Sequence, residues 1–306
     1  MNGPATPSDE MAAAGDADPA RGQRPFERLS RNALKNLERW CRAVAPAPPA
    51  KMLRPSLPAV AAAAATLYVV IASMFAWDAA ASHWARHEPD WFRGLFEKIT
   101  NYGLSGWFLI PFAAIVLCLA AVVSPALSRM SQGVLAALAA RFGFLFLAIG
   151  VPGLFVAIVK RLIGRARPYV GAGGHDDPFA YLPFVWRPEY ASMPSGHATT
   201  AVSAAIAIGA IWPRSRAVMW LYALVIMASR VFVLAHHPSD VIAGALTGAA
   251  GAYLVRRWFA ARRLVFCARD LRPYPGPSWR RIKAALGEAF GRRPGNCAEQ
   301  RDIPSD

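Results

Sequence analysis

Cysteine is scarce in this chain, and so is evenly spread charge. Only four cysteines occur in 306 residues: Cys41, Cys118, Cys267 and Cys297. They share no close spacing and have no partner histidines, so neither a zinc site nor a disulfide framework is indicated. Charged residues make up 17% of the chain and hydrophobic ones 55%. A soluble protein of this length would carry its charges throughout. Here they are clumped, and apolar stretches of roughly 20 residues alternate with short polar ones, the pattern of a membrane protein. No cleavable leader is expected from the first apolar run either. The first long apolar run begins near Leu57, too deep for a signal peptide, and reads as a retained span. The net charge of +15 does not point to nucleic acid, because Arg and Lys gather in the tails and short loops, where membrane orientation accounts for them.

Residues 1–24 have no periodicity and read as a disordered tail. In residues 25–56 an amphipathic basic helix precedes a Pro-rich linker. Phe26, Leu29, Ala33, Leu37, Trp40 and Val44 recur at helical steps, and Arg28, Arg31, Lys35 and Arg39 lie opposite. Two readings stand for this helix: it lies on an anionic membrane surface, or it packs against protein. Six spans are predicted at 57–77, 104–124, 134–158, 198–213, 217–235 and 240–258. Residues 57–258 thus form one all-α membrane domain, and 259–306 a basic tail. Arg141 falls inside the third span, so either that span starts later or Arg141 snorkels. Gly244, Gly248 and Gly251 would allow close helix contact in the sixth.

Nine Lys and Arg residues precede the first span and twelve follow from Arg256 onward. The positive-inside rule therefore puts both termini in the cytoplasm. The outward ends of spans three to six then share one face. Three clusters fall there: KRLIGRARP at 160–168, PSGH at 194–197 and SRVFVLAHHPSD at 229–240. Lys160 and Arg167 are seven apart and point the same way if the third helix continues to Pro168.

Ionisable residues near a bilayer are costly and usually functional. Three cations that converge need an anion, and Lys160, Arg167 and Arg230 offer charge and forked donors to phosphate oxygens. Ser195 and Gly196 open the fourth helix, where backbone N–H groups can cradle the same anion. His197 sits at its rim, placed for proton transfer. Asp240 is spaced to orient His236, whose other ring nitrogen is free to attack. The implied reaction is in-line phosphoryl transfer. His236 attacks phosphorus, His197 protonates the leaving oxygen, and water then hydrolyses the phosphohistidine. Fixed cations do the electrostatic work of a metal, so no cofactor is expected.

The pattern K-x6-RP, then PSGH, then SR-x5-H-x3-D resembles the type 2 phosphatidic acid phosphatase superfamily. It is complete at Lys160, Arg167 and Pro168, at Pro194 to His197, and at Ser229, Arg230, His236 and Asp240. The resemblance covers roughly residues 57–258. It implies a six-helix membrane fold, a metal-independent histidine-nucleophile phosphatase, and His236 rather than His237 as nucleophile. It carries phosphate binding to Lys160, Arg167, Ser195, Gly196 and Arg230, acid–base work to His197 and orientation of His236 to Asp240. The expected protein is a bacterial inner-membrane lipid phosphatase with its site on the outer face. Its substrate would be of the undecaprenyl diphosphate, phosphatidylglycerophosphate, phosphatidic acid or lipid A class. Specificity would lie in the loop between spans one and two and in the insert at 170–190. A lipid phosphotransferase, a haloperoxidase and a non-catalytic lipid-binding protein are the rivals. Arg161 and Arg165 fall off the Lys160–Arg167 face and are assigned to solvation or lipid anchoring, with headgroup or second-phosphate contact as the alternative.

Overall fold

The computed structural model describes residues 25–45, 57–171 and 177–291. The expected disordered tail at 1–24, most of the linker, His175 and Cys297 lie outside the described residues. Among the described residues no strand forms; two isolated bridges pair Arg165 with Tyr181 and Phe266 with Pro273. The helices run in the order α1 (Pro25–Val44), α2 (Leu57–Ala76), α3 (Asp78–Arg86), α4 (Asp90–Thr100), α5 (Gly106–Val122), α6 (Arg129–Ile163), α7 (Gly196–Ile211), α8 (Arg216–Phe232), α9 (Pro238–Ala261) and α10 (Trp279–Ala289).

All six predicted apolar helices are present, as α2 and α5 to α9. Among the described residues, three stretches are long and apolar enough to cross a bilayer alone: Asp90–Val122, Arg129–Ile163 and Pro213–Phe232. A fourth is reached if the pair Val60–Ala76 and Asp78–Arg86, bent by 48°, counts as one span. Gly196–Ile211 is apolar but shorter, and α9 is diluted by Ser239, Asp240, Arg256 and Arg257.

Helix α7 sits at the centre, against α6, α8 and α9. Beyond His197 it is built of Ala, Ser, Thr, Gly, Val and Ile and is buried nearly all round, as a helix without a polar stripe must be. Its contact with α9 is close because of two glycines. A Cβ at Gly244 would stand 2.4 Å from the Ser195 carbonyl oxygen, and one at Gly248 2.5 Å from that of Thr199. This is the close helix approach the small residues predicted.

At the opposite end of the bundle the charged tails are packed in. Asn36 of α1 donates to the Ala120 and Val123 carbonyls at 2.9 and 2.8 Å, and Trp258 donates to the Val44 carbonyl at 2.9 Å. Of the two readings of α1, the structure takes the one with protein contact, while Phe26, Leu29 and Leu34 remain exposed. The span holding Arg141 begins earlier than predicted, at Arg129. Arg141 is buried and donates to the carbonyls of Ala137, Tyr274 and Pro275 at 2.9, 3.0 and 3.1 Å. It does not snorkel, because the returning tail supplies its acceptors. Glu288 of α10 accepts from the Ser128 amide at 2.6 Å and from the hydroxyls of Ser128 and Ser131 at 2.8 and 2.5 Å.

Candidate active site

The C-terminal ends of α6 and α8 and the N-terminal ends of α7 and α9 meet at one end of the bundle. Local rules put them there. Helix α6 stops at Ile163, not at Pro168, because Gly164 takes the left-handed conformation at φ 64°. A Cβ there would lie 1.9 Å from the Leu182 carbonyl oxygen, so only glycine fits. Lys160 and Arg167 are therefore not aligned by a continuing helix; the turn brings the chain back across the site. Residues 165–167 run extended, with Ala166 donating to the Ala180 carbonyl and Arg167 to that of Glu189, both at 2.9 Å.

The predicted residues converge. Ser195 donates its amide to the Asp240 carbonyl at 2.9 Å, and His236 donates its amide to that of Arg230 at 3.1 Å. The charges of Arg230, Arg167 and Lys160 all act on His197. His197 is also held from behind: a Cβ on Gly103 would stand 2.9 Å from its ring and 2.7 Å from Ile226. Gly196 opens α7, and the space a Cβ would take there holds no protein atom within 4 Å.

Four buried polar atoms in this cluster make no hydrogen bond: Arg167 Nε, Ser195 Oγ, Arg230 Nε and His236 Nδ1. They come from three separate segments, and a buried polar atom left unpaired is costly. A serine kept only to start a helix would accept from a first-turn amide. Ser195 makes no such cap. Arg230 spends one donor on the Thr100 hydroxyl, at 2.5 Å.

His236 Nδ1 lies 3.9 Å from Asp240 Oδ2, too long for a hydrogen bond. Burial is the chief influence on this ring and, with Arg230 and Arg167 adding to it against the pull of Asp240, brings its pKa down to about 4. The ring is therefore neutral at neutral pH and keeps a lone pair.

Asp240 itself is crowded with donors. Arg165 Nη1 reaches its Oδ1 at 2.6 Å. The Ser192 hydroxyl and the His237 amide reach its Oδ2 at 2.5 and 2.9 Å. Arg165 is fully buried, which corrects its assignment to solvation or lipid anchoring. It stands between two carboxylates, with Nη2 also 2.7 Å from Asp78 Oδ2. Burial alone would lower its pKa, but the charges of Asp240 and Asp78 prevail and raise it above the usual arginine value. Arg161 instead lies 4.4 Å over the Trp186 ring.

Asp78, Ser192 and Thr100 were missed in the sequence. Asp78 carried one signal: a carboxylate directly after an apolar helix, where a bilayer-edge charge needs a reason. Among the described residues, no group of three or more His, Cys, Asp and Glu side chains is placed to hold a metal ion.

The model of the PAP2 superfamily matches residues 141–264, which contain all three motifs. A lipid A 1-phosphatase of Rhizobium johnstonii is 34% identical over 204 residues, covering 66% of this chain and 81% of that protein. The chain belongs to the PAP2 superfamily. A lipid A 1-phosphatase of Rhizobium etli is similar at 31% over 207 residues, 67% of this chain and 83% of the relative. No solved structure matches the chain. Family and relatives together make it a membrane lipid phosphatase of the PAP2 type.

Proposed function

We propose that this enzyme removes the 1-phosphate of a lipid A-type glycolipid at the outer face of a bacterial inner membrane, through a phosphohistidine on His236. The observation that carries the reading is the convergence of four unpaired buried atoms, on Arg167, Ser195, Arg230 and His236. Phosphate oxygens would satisfy the arginine and serine donors together, with Lys160 and the amides at Ser195 and Gly196 adding to them. The relatives named above supply the choice of lipid.

His236 Nε2 attacks phosphorus while the bond to the lipid oxygen breaks. His197, protonated together with the incoming phosphate dianion, gives that oxygen its proton. His197 then takes one from water, whose oxygen attacks phosphorus and breaks the N–P bond, releasing phosphate and restoring both rings. Lys160, Arg167 and Arg230 balance charge on the equatorial oxygens. His237 suits the nucleophile role poorly, since its Nδ1 meets the neutral Ser82 hydroxyl at 3.1 Å and not a carboxylate that could offset the charge of a phosphorylated ring.

The test is phosphate release by detergent-purified protein from lipid A, undecaprenyl diphosphate, phosphatidylglycerophosphate and phosphatidic acid, with His236→Ala alongside. Release from lipid A, with mass loss at the 1-position and none in the variant, is expected. It should survive EDTA and be inhibited by orthovanadate. Release concentrated on another lipid would overturn the substrate. Label passing to an added lipid acceptor without free phosphate would make the enzyme a transferase, and loss on chelation restored by Mg²⁺ would end the metal-free mechanism.

A further inference from the structure

Three residues far apart in the chain close a buried ionic network directly behind the proposed nucleophile. Asp78, Arg165 and Asp240 are all fully buried. Arg165 uses its whole fork. Nε and Nη2 donate to the Pro178 carbonyl at 3.0 and 2.8 Å. Nη1 donates to the Ser239 hydroxyl at 2.7 Å and to Asp240 Oδ1 at 2.6 Å, and Nη2 to Asp78 Oδ2 at 2.7 Å. Asp78 in turn accepts from the Ser239 amide at 3.0 Å and from its hydroxyl at 2.5 Å. The network therefore grips the first turn of α9, the turn that carries Asp240.

We infer that Arg165 and Asp78 are positioning residues for the phosphoryl transfer, setting both the place and the charge of Asp240 behind His236; this rests on the phosphohistidine reading above. The place follows from the fork. With Oδ1 held by Arg165 and Oδ2 by Ser192 and the His237 amide, the carboxylate cannot turn, and Oδ2 stays aimed at His236 Nδ1, 3.9 Å away. An advance of about an ångström by the ring makes that hydrogen bond, as catalytic contacts commonly tighten on binding.

The charge follows from the count. When Nε2 bonds to phosphorus the imidazole becomes cationic, and it needs an anion at Nδ1. A carboxylate paired alone with a buried arginine would be neutralised. Here two carboxylates share one guanidinium, so the group keeps a net negative charge facing the ring. A lysine cannot reproduce this, because its point charge has no planar fork with which to bridge two acids.

The experiment compares Arg165→Lys and Asp78→Asn with the unaltered enzyme and His236→Ala, scoring only monodisperse protein. Arg165→Lys is expected to lower kcat about 100-fold, with KM and the vanadate inhibition constant within about threefold, because the phosphate ligands are untouched. Asp78→Asn, nearly isosteric, keeps its acceptor to Arg165 and should lower kcat about tenfold with the same unchanged vanadate constant. Unchanged kcat per folded enzyme in both variants would overturn the inference. So would a parallel loss of kcat and vanadate affinity, which marks general disruption. If Arg165→Lys does not fold, Asp78→Asn decides by the same criteria. Full activity in His236→Ala would instead overturn the phosphohistidine reading itself.

Discussion

Two halves of one site treat their polar atoms in opposite ways. Around Arg165 every strong donor has an acceptor, and the fork, both carboxylates and two serines are mutually satisfied. A few residues away, Arg167, Arg230, Ser195 and His236 each keep a buried atom unpaired. Arg165 and Arg167 are separated by one alanine, yet one has its whole fork satisfied within the fold and the other keeps a buried nitrogen unpaired. The chemical type of a residue does not separate these roles. The presence or absence of a partner within the fold does.

The comparison breaks most sharply at the two arginines. Arg167→Met should cut kcat/KM by about a thousandfold, in line with loss of a donor to transition-state charge, while leaving the melting temperature in detergent unchanged. Arg165→Met leaves two buried carboxylates without their cation and should cost about 3–5 kcal/mol of stability. Equal thermal losses in the two variants would mean that the halves do not differ.

Next comes protonation. NMR titration of ring-labelled histidine, assigned with His236→Gln, should find the His236 midpoint near 4 in place of the usual 6.5. The folded state then binds fewer protons than the unfolded chain between those values. Acidification through that window weakens the fold, and below about 4 it also silences the nucleophile. A midpoint at 6.5 or above would contradict the buried, cation-flanked setting of the ring.

A smaller effect is expected at Gly103. Ala there pushes on the His197 ring and Ile226 at under 3 Å, and kcat should fall about tenfold with KM unchanged, the scale of a small misplacement. Unaltered kcat would show that this wall gives way. Smallest is Glu288→Ala at the far end of the bundle. It removes the acceptor for Ser128 and Ser131 and should lower the melting temperature by a few degrees, with kcat within twofold.

Much of the site was legible because its chemistry is packed into short motifs. PSGH puts Ser195, Gly196 and His197 at a helix start, and H-x3-D puts His236 just before α9 and Asp240 on its first turn, so spacing alone brings each set near. The apolar helices were equally readable from their length. What escaped depends on contacts between distant segments. Asp78, Thr100 and Gly103 come from the first part of the domain, with separations of 87 and 130 residues in two of their contacts. Arg165 was misplaced for a different reason. Helical geometry was extended past Gly164, and the left-handed turn there reverses which side of the chain faces inward. The early start of α6 was likewise hidden, because Arg141 finds two of its acceptors in Tyr274 and Pro275 of the returning tail.

The Asp78–Arg165–Asp240 network also bears on biosynthesis. Asp78 leaves the ribosome 87 residues before Arg165 and 161 before Ser239. A carboxylate carried to the middle of a bilayer without a partner costs about 2.5–3.5 kcal/mol by insertion scales. The nascent bent pair α2–α3 is therefore best kept with its bend at the water boundary until α6 and Arg165 have emerged. Docking of that pair is then a late event, completed only after Ser239 and Asp240 at the start of α9 have been translated.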